Sequence, residues 1–169
     1  SSRFSLPGQE LFNWISPLFE CENDRHARCR LAACLLSDIS WNEHPDYRAK
    51  HAFNRTLSLP VVGINHSQRV FLALALYVRY GGDLGDTIAI SVLSLIEKDA
   101  LHGAIVTGMA LRLGHVLAGS APGLLTMASV KRTKNAVILI SDQDSCLVHG
   151  EVVLRRLKSL AKSLDLSYK

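Results

Sequence analysis

The feature that most constrains the fold is an almost wholly apolar run, VFLALALYVRY, from Val70 to Tyr80. A helix that is hydrophobic on every face must be surrounded by other elements, so this segment is predicted to be the core helix of a bundle. We expect it to begin near His66 and to end at Gly81-Gly82, because glycine readily ends a helix. The run is far shorter than the ~20 residues that cross a bilayer, and it therefore predicts a soluble protein.

Further helices are predicted around this core helix wherever apolar residues recur at helical spacing. They cover residues 11–19, where Pro17 kinks or splits the helix, residues 24–41 after an N-cap at Asn23, residues 45–57 after a turn at His44, and residues 88–97 and 99–117. The last of these carries small residues where a neighbouring helix can approach closely: Ala104, Gly108, Ala110 and Gly114.

The pattern changes after Ala121-Pro122-Gly123. Two runs rich in β-branched residues, 124–130 and 135–140, are predicted to pair as an antiparallel hairpin, and CLVH at 146–149 is a candidate third strand. An amphipathic helix from Glu151 to Leu164 closes the chain. The predicted fold class is therefore mainly α, with a helical bundle over residues 1–120 and a small α+β unit over residues 121–169.

The net charge of +4 belongs to the C-terminal third of the chain. Residues 1–120 carry eleven basic and eleven acidic side chains, whereas residues 121–169 carry eight basic and four acidic ones. This localised excess favours a local contact with a polyanion over a surface that coats nucleic acid, so no nucleic-acid partner is expected.

The cysteines indicate the cellular compartment, and the first residues bear on whether the sequence is a piece of a longer protein. The four cysteines have neither CxxC spacing nor the density of a disulfide framework, so we interpret them as reduced thiols of a cytoplasmic protein. The sequence opens Ser-Ser-Arg-Phe without an initiator Met or a signal peptide, and we interpret it as a piece of a longer protein.

A polar cluster between Ser37 and Arg79 is the main candidate site, because the sequence has no P-loop, dinucleotide-binding, α/β-hydrolase or paired CxxC motif. If residues 47–55 are helical, Arg48, His51 and Arg55 share one face and can donate hydrogen bonds to a chain of phosphate oxygens. The alternative is a solvated helix face, which is the usual place of charged residues.

Two segments of this region resemble a known family. LLSDISWNEHPDYR and GINHSQRVFLALALYVRYGG are similar to the C-terminal portion of the exopolyphosphatase/guanosine pentaphosphate phosphohydrolase family, and ACLLSDI resembles the AALLHDIG helix of HD-type phosphohydrolase domains. The resemblance covers residues 11–119 well. It implies an HD-like helical bundle that lines a polyphosphate channel and supports dimerisation, while N-terminal actin-like lobes, which this sequence lacks, hold the catalytic carboxylate.

The resemblance implies a binding role and no catalytic residue in this chain. We expect polyphosphate contacts from His44, Tyr47, Arg48, His51, Arg55 and Arg79, and secondary electrostatic contributions from Lys131, Arg132 and Lys134. The expected partners are inorganic polyphosphate or guanosine pentaphosphate, the protein's own catalytic lobes and a second copy of the chain, and no membrane is expected. Mg²⁺ would be held mainly by the absent lobes, with no cofactor or metal bound by this chain.

The sequence departs from a working HD site at its central pair. Ser37 stands where the metal-binding His would be, next to Asp38, and serine is a poor metal ligand. Two alternatives to the binding role remain open. One is an autonomous HD-type metal-dependent nucleotide phosphohydrolase, in which His44, His51 and His66 would supply the metal ligands in place of the usual set. The other is a purely structural dimerisation module.

Overall fold

The computed structural model describes residues 8–60, 62–120, 124–141 and 150–169. These residues are mainly helical, with a small sheet and a closing helix, as the sequence predicts. The helices are α1 (Gly8–Ile15), α2 (Asp24–Leu35), α3 (Pro45–Ser58), α4 (His66–Arg79), α5 (Thr87–Ile90), α6 (Lys98–Ser120), α7 (Leu124–Met127) and α8 (Glu151–Ser163). The strands are β1 (Ala128–Arg132), β2 (Ala136–Ser141) and β3 (Ser167–Tyr168), and 3-10 turns occupy Ser16–Leu18 and Leu93–Leu95.

Helix α4 is the core helix that its apolar run predicts. Every residue from Val70 to Arg79 is buried. A capping box begins the helix: the Asn65 side chain accepts a hydrogen bond from the main-chain N–H of Gln68, and the Gln68 side chain accepts one from the N–H of Asn65. The helix is followed by Gly81 at φ +88°, a conformation that favours glycine.

Helix α6 is the longest element and packs against α4, α8 and the short α1. Its small residues permit this, as predicted, because a Cβ on Gly108 would lie 2.5 Å from the carbonyl oxygen of Ala75. By length and hydropathy, Lys98–Gly119 could also cross a membrane, although its apolar residues do not form one unbroken run. However, 61% of this segment is buried within the domain.

Three predicted elements differ from the structure. Residues 88–97 do not form one helix: only Thr87–Ile90 and the 3-10 turn Leu93–Leu95 are helical there. The Ser91 hydroxyl donates to the Ile88 carbonyl, a local bond that competes with helix continuation. Residues 124–127 are a helical turn, so strand β1 begins at Ala128. Helix α2 ends at Leu35, and residues 36–43 form turns.

The sheet has the order β1-β2-β3. Strands β1 and β2 form the predicted antiparallel hairpin, with Ala128 opposite Ser141, whereas β3 joins β2 in parallel after helix α8. The predicted strand at 146–149 lies outside the described residues. The hydrophobic core runs from the bundle to the sheet, and the indole N–H of Trp14 on α1 donates to the carbonyl of Ala128 at 2.7 Å.

Candidate anion-binding site

Four helices place an arginine around one pocket, which we call the arginine pocket. It has a volume of about 420 Å³, and its arginines are Arg48 on α3, Arg79 on α4, Arg112 on α6 and Arg156 on α8. The remaining lining residues are Trp41, Pro45, Tyr80, His115, Val116 and Gly119. No carboxylate is among the described residues that line it, so the pocket is strongly cationic.

Aromatic rings hold two of these guanidinium groups. The Arg48 guanidinium lies 4.9 Å from the centre of the Trp41 ring and donates to the main-chain carbonyl of Glu43 at 3.1 and 3.0 Å. The Arg79 guanidinium lies 4.5 Å from the centre of the Tyr80 ring. Stacking restricts these flexible side chains while leaving N–H groups at the guanidinium edge for an anion.

The other two arginines carry poorly compensated charge. Burial lowers the pKa of Arg112, and the positive charges of Arg156 and then Arg155 lower it further. Burial also lowers the pKa of Arg156, with Arg155 adding to the effect. Within the ranges that the structure describes, neither Arg112 nor Arg156 forms an ion pair, and the buried Nε of Arg156 has no hydrogen-bond partner. Clustered positive charge in a half-buried place is stabilised when an anion binds there.

Gly81 makes room for one of these groups. A Cβ at this position would lie 2.8 Å from a terminal nitrogen of Arg112. The glycine that follows α4 therefore lets the Arg112 guanidinium approach the main chain at the end of this helix. The Arg112 side chain could shift to relieve this contact, but the positive φ of Gly81 disfavours any other residue here.

A buried polar cluster adjoins the pocket behind Arg79. The Nε2 of His115 lies 3.0 Å from the Ser37 hydroxyl, and its Nδ1 lies 3.7 Å from Oδ1 of Asp38. The same carboxylate oxygen lies 3.6 Å from a terminal nitrogen of Arg79, and the Tyr80 hydroxyl donates to the Ser37 carbonyl at 2.9 Å. Asp38 thus lies beside both groups, and its carboxylate compensates the charge of the Arg79 guanidinium.

The structure brings together only some of the residues predicted to contact polyphosphate. Arg48 and Arg79 line the arginine pocket, and the exposed His44 precedes the lining residue Pro45. Arg48, His51 and Arg55 do lie along α3. However, Glu43 contacts His51 Nδ1 at 3.0 Å and Arg55 at 3.5 Å, so this carboxylate takes the place expected for phosphate.

Tyr47 and the basic hairpin lie apart from the pocket lining. Tyr47 is 59% exposed and stacks on His51. Lys131 and Lys134 are exposed in and beside the hairpin, and Arg132 donates to the main-chain carbonyl of Leu18 at 3.3 Å. None of these residues lines the arginine pocket.

Arg112 and His115 were not predicted from the sequence, and Arg156 was considered only as part of the basic face of the last helix, for secondary electrostatic steering. They lie on α6 and α8, far in sequence from the polar cluster at 37–79, and each stands in an ordinary amphipathic pattern. The only sequence signal was a basic residue and an imidazole in LRLGHVL, within an otherwise apolar helix.

The polar cluster does not fit a divalent metal. Among the described side chains, no group of three or more His, Cys, Asp and Glu residues is close enough to hold a metal ion. Mg²⁺ prefers several oxygen ligands in octahedral geometry, whereas Ser37 and His115 offer one hydroxyl and one imidazole, and the carboxylate of Asp38 lies beside Arg79.

Comparison with known proteins gives one family match. A family model described as "Exopolyphosphatase, C-terminal" matches residues 6–166, which is nearly the whole chain. A search of curated protein sequences gave no significant match.

Proposed function

The chain belongs to the exopolyphosphatase C-terminal family, and from this premise we propose that it is a non-catalytic domain that binds polyphosphate. In this proposal, separate N-terminal lobes cleave the terminal phosphoanhydride of the polymer and hold Mg²⁺. The observation that supports the binding role is the arginine pocket, in which four helices direct guanidinium groups to one place.

The chemistry of the pocket matches that of a phosphate chain. Arginine presents a planar set of N–H donors that binds pairs of phosphate oxygens, and hydrogen bonds between charged groups are about twice as strong as neutral ones. Arg112 and Arg156 lack ion-pair partners among the described residues, so little must be displaced before they bind an anion. A site of this kind would hold the polymer between successive cleavages.

The other parts of the proposal follow from the family relationship. Guanosine pentaphosphate is the second ligand to test, because it also carries a run of phosphates. We also propose that the domain contacts the catalytic lobes and forms a homodimer, for which light scattering of the purified chain is the direct measurement.

Isothermal titration with long-chain polyphosphate at low and high salt tests the binding role. Replacing Arg112 and Arg156 together by Gln removes two charge-assisted contacts of about 1.5–3 kcal/mol each, so the affinity should fall at least about a hundredfold. The matched control replaces Lys158 and Lys162 by Gln, because both are exposed on α8 and neither lines the pocket. This control should bind within about twofold of the unmodified chain, since exposed charges contribute little.

A second matched pair separates the pocket from the predicted α3 face. Arg48→Gln should weaken binding, because Arg48 lines the pocket, whereas Arg55→Gln should have little effect, because Glu43 already pairs with Arg55. If each pocket variant lost only as much affinity as its matched control, binding would be a diffuse electrostatic attraction, and a defined site would be contradicted. A folded chain without affinity at low salt would refute the binding role and leave a purely structural module.

A further inference from the structure

The structure places one titratable group, His115, in the wall of the cationic pocket. Its side chain is buried, with a relative exposure of 4%, and it belongs to the pocket lining. Histidine is the residue type whose charge changes between about pH 5 and 8, and His115 is the one histidine among the described residues that line the pocket. The arginines stay protonated throughout this range, and burial raises the pKa of Tyr80 above its ordinary value, so the phenol stays neutral.

The surroundings of His115 can accommodate a second proton. Nδ1 faces the Asp38 carboxylate at 3.7 Å, and Nε2 faces the Ser37 hydroxyl at 3.0 Å. A carboxylate only accepts hydrogen bonds, and a hydroxyl can accept as well as donate. The Nε2–H group of the imidazolium ion could donate to Ser37 once that hydroxyl's hydrogen rotates away from the ring. The Asp38 carboxylate, at 3.7 Å from Nδ1, lies beyond hydrogen-bond distance but would attract the positive charge of the ring.

The charges around His115 act in opposite directions until an anion binds. Asp38, from the segment between α2 and α3, favours the protonated imidazole. The positive charges disfavour it from four helices: Arg48 on α3, Arg79 on α4, Arg112 on α6 and Arg156 on α8. A polyanion in the pocket neutralises this repulsion and adds attraction of its own, so the ligand and the proton must favour each other.

We propose that polyphosphate binding in the arginine pocket is coupled to proton uptake by His115. This inference rests on the proposed function, because it assigns a property to the same site. His115 acts through its charge, since its ring nitrogens face Ser37 and Asp38 and direct contacts to phosphate are left to the arginines. The consequence is a domain that holds polyphosphate more tightly as the pH falls below neutral.

Isothermal titration of the 169-residue chain with long-chain polyphosphate at about pH 5.5 and about pH 8 tests the coupling on both sides of the ordinary imidazole value. The internal phosphates of a long polymer do not titrate in this range, so protons taken up on binding come to the protein. Titrations in two phosphate-free buffers of different ionisation enthalpy measure that uptake directly. We expect up to about tenfold tighter binding at the lower pH and, because coupling of that size can take up at most about half a proton, an uptake of up to about half a proton on binding.

Variants identify the group responsible. His115→Gln should remove most of the pH dependence and the proton uptake, whereas His66→Gln, at an exposed histidine on α4 outside the pocket, should keep both. Asp38→Asn should move the pH dependence to lower pH, because it removes the charge that favours the imidazolium ion. It provides a second test if His115→Gln does not fold, which thermal unfolding will show.

The outcomes separate this inference from the proposed function. Tight binding by the unmodified chain with the same affinity at both pH values and no proton uptake would overturn the coupling and leave polyphosphate binding intact. Coupling that persists in His115→Gln would assign it to another group and overturn the role of His115. No binding at either pH would overturn the proposed function together with this inference.

Discussion

Replacing Gly108 by alanine is expected to destabilise the domain at the contact between α4 and α6. An added Cβ would lie 2.5 Å from the Ala75 carbonyl oxygen, 2.7 Å from Cβ of Val78 and 2.8 Å from its Cγ1. Favourable contacts between carbon atoms begin near ~3.5 Å, so the two helices would have to separate by about 1 Å. Two of the three clashing atoms are close to the main chain, and rotation of a side chain cannot relieve them.

The expected magnitude combines two opposing effects. An alanine in the interior of a helix is favoured over glycine by about 1 kcal/mol. Overpacking a close contact costs about 1–3 kcal/mol, and occasionally more, with the upper end expected when main-chain atoms must move. The net loss for Gly108→Ala should thus be about 2 kcal/mol. For a domain of this size that corresponds to a fall in Tm of roughly 4–8 °C.

Gly103 offers a matched control on the same helix. A Cβ there would meet only Cε2 of Phe71, at 3.4 Å, which is an ordinary contact. Gly103→Ala should therefore keep most of the helix-propensity gain and raise stability by up to about 1 kcal/mol. The two variants carry the same chemical change and differ only in what the new methyl group meets.

Urea unfolding followed by far-UV circular dichroism measures both variants. A midpoint that rises in Gly108→Ala as it does in Gly103→Ala would refute the close approach of α4 and α6. Polyphosphate affinity supplies a second readout, because a displaced α6 carries Arg112 and His115 away from Arg79 on α4. Gly108→Ala should weaken binding, and Gly103→Ala should not.

Three further changes have defined outcomes. Burial, with the hydrogen bond to Asp86 adding to it, raises the pKa of Tyr77 to about 12, so the folded state keeps a proton that the unfolded state loses, and stability falls as the pH rises from about 10 to about 12. Tyr77→Phe should make this fall shallower in urea unfolding at alkaline pH, and an unchanged slope would contradict the assignment. Asn65→Ala removes the capping box of α4 and should cost about 1 kcal/mol in thermal unfolding, whereas an unchanged Tm would mean that the cap contributes nothing. Glu43→Gln releases His51 and Arg55 and should tighten polyphosphate binding several-fold in calorimetry, whereas unchanged affinity would show that this face of α3 takes no part.

Local signals in the sequence were sufficient for most of the helices. The apolar run of α4, the N-cap at Asn23 and the break at Pro17 each act within a few residues, so they can be identified without knowing the neighbouring elements. Prediction was wrong at residues 36–41, where apolar spacing continues past the end of α2. The Tyr80 hydroxyl donates to the Ser37 carbonyl and accepts from the Ser40 N–H, and these tertiary contacts hold the segment as turns instead of a helix.

The candidate site could be predicted only in part for the same reason. Arg48 and Arg79 were found because the polar cluster around them is contiguous in sequence, and they do line the pocket. Arg112 and Arg156 could not be found in this way. In the sequence, each of these arginines simply lies on the polar side of its own helix. They become neighbours only because α8 packs on α6 and α6 packs on α4.

By itself, then, the sequence determined most of the helices, the buried helix at the centre and the family to which the chain belongs. Only the tertiary structure decided which charges are neighbours: it paired Glu43 with the predicted α3 face and brought four arginines and His115 around one pocket. The physical reason is that apolar periodicity tells which side of a helix faces the core, but not which other helix it meets. That choice depends on close packing between distant segments, such as the contact of Gly108 with Ala75.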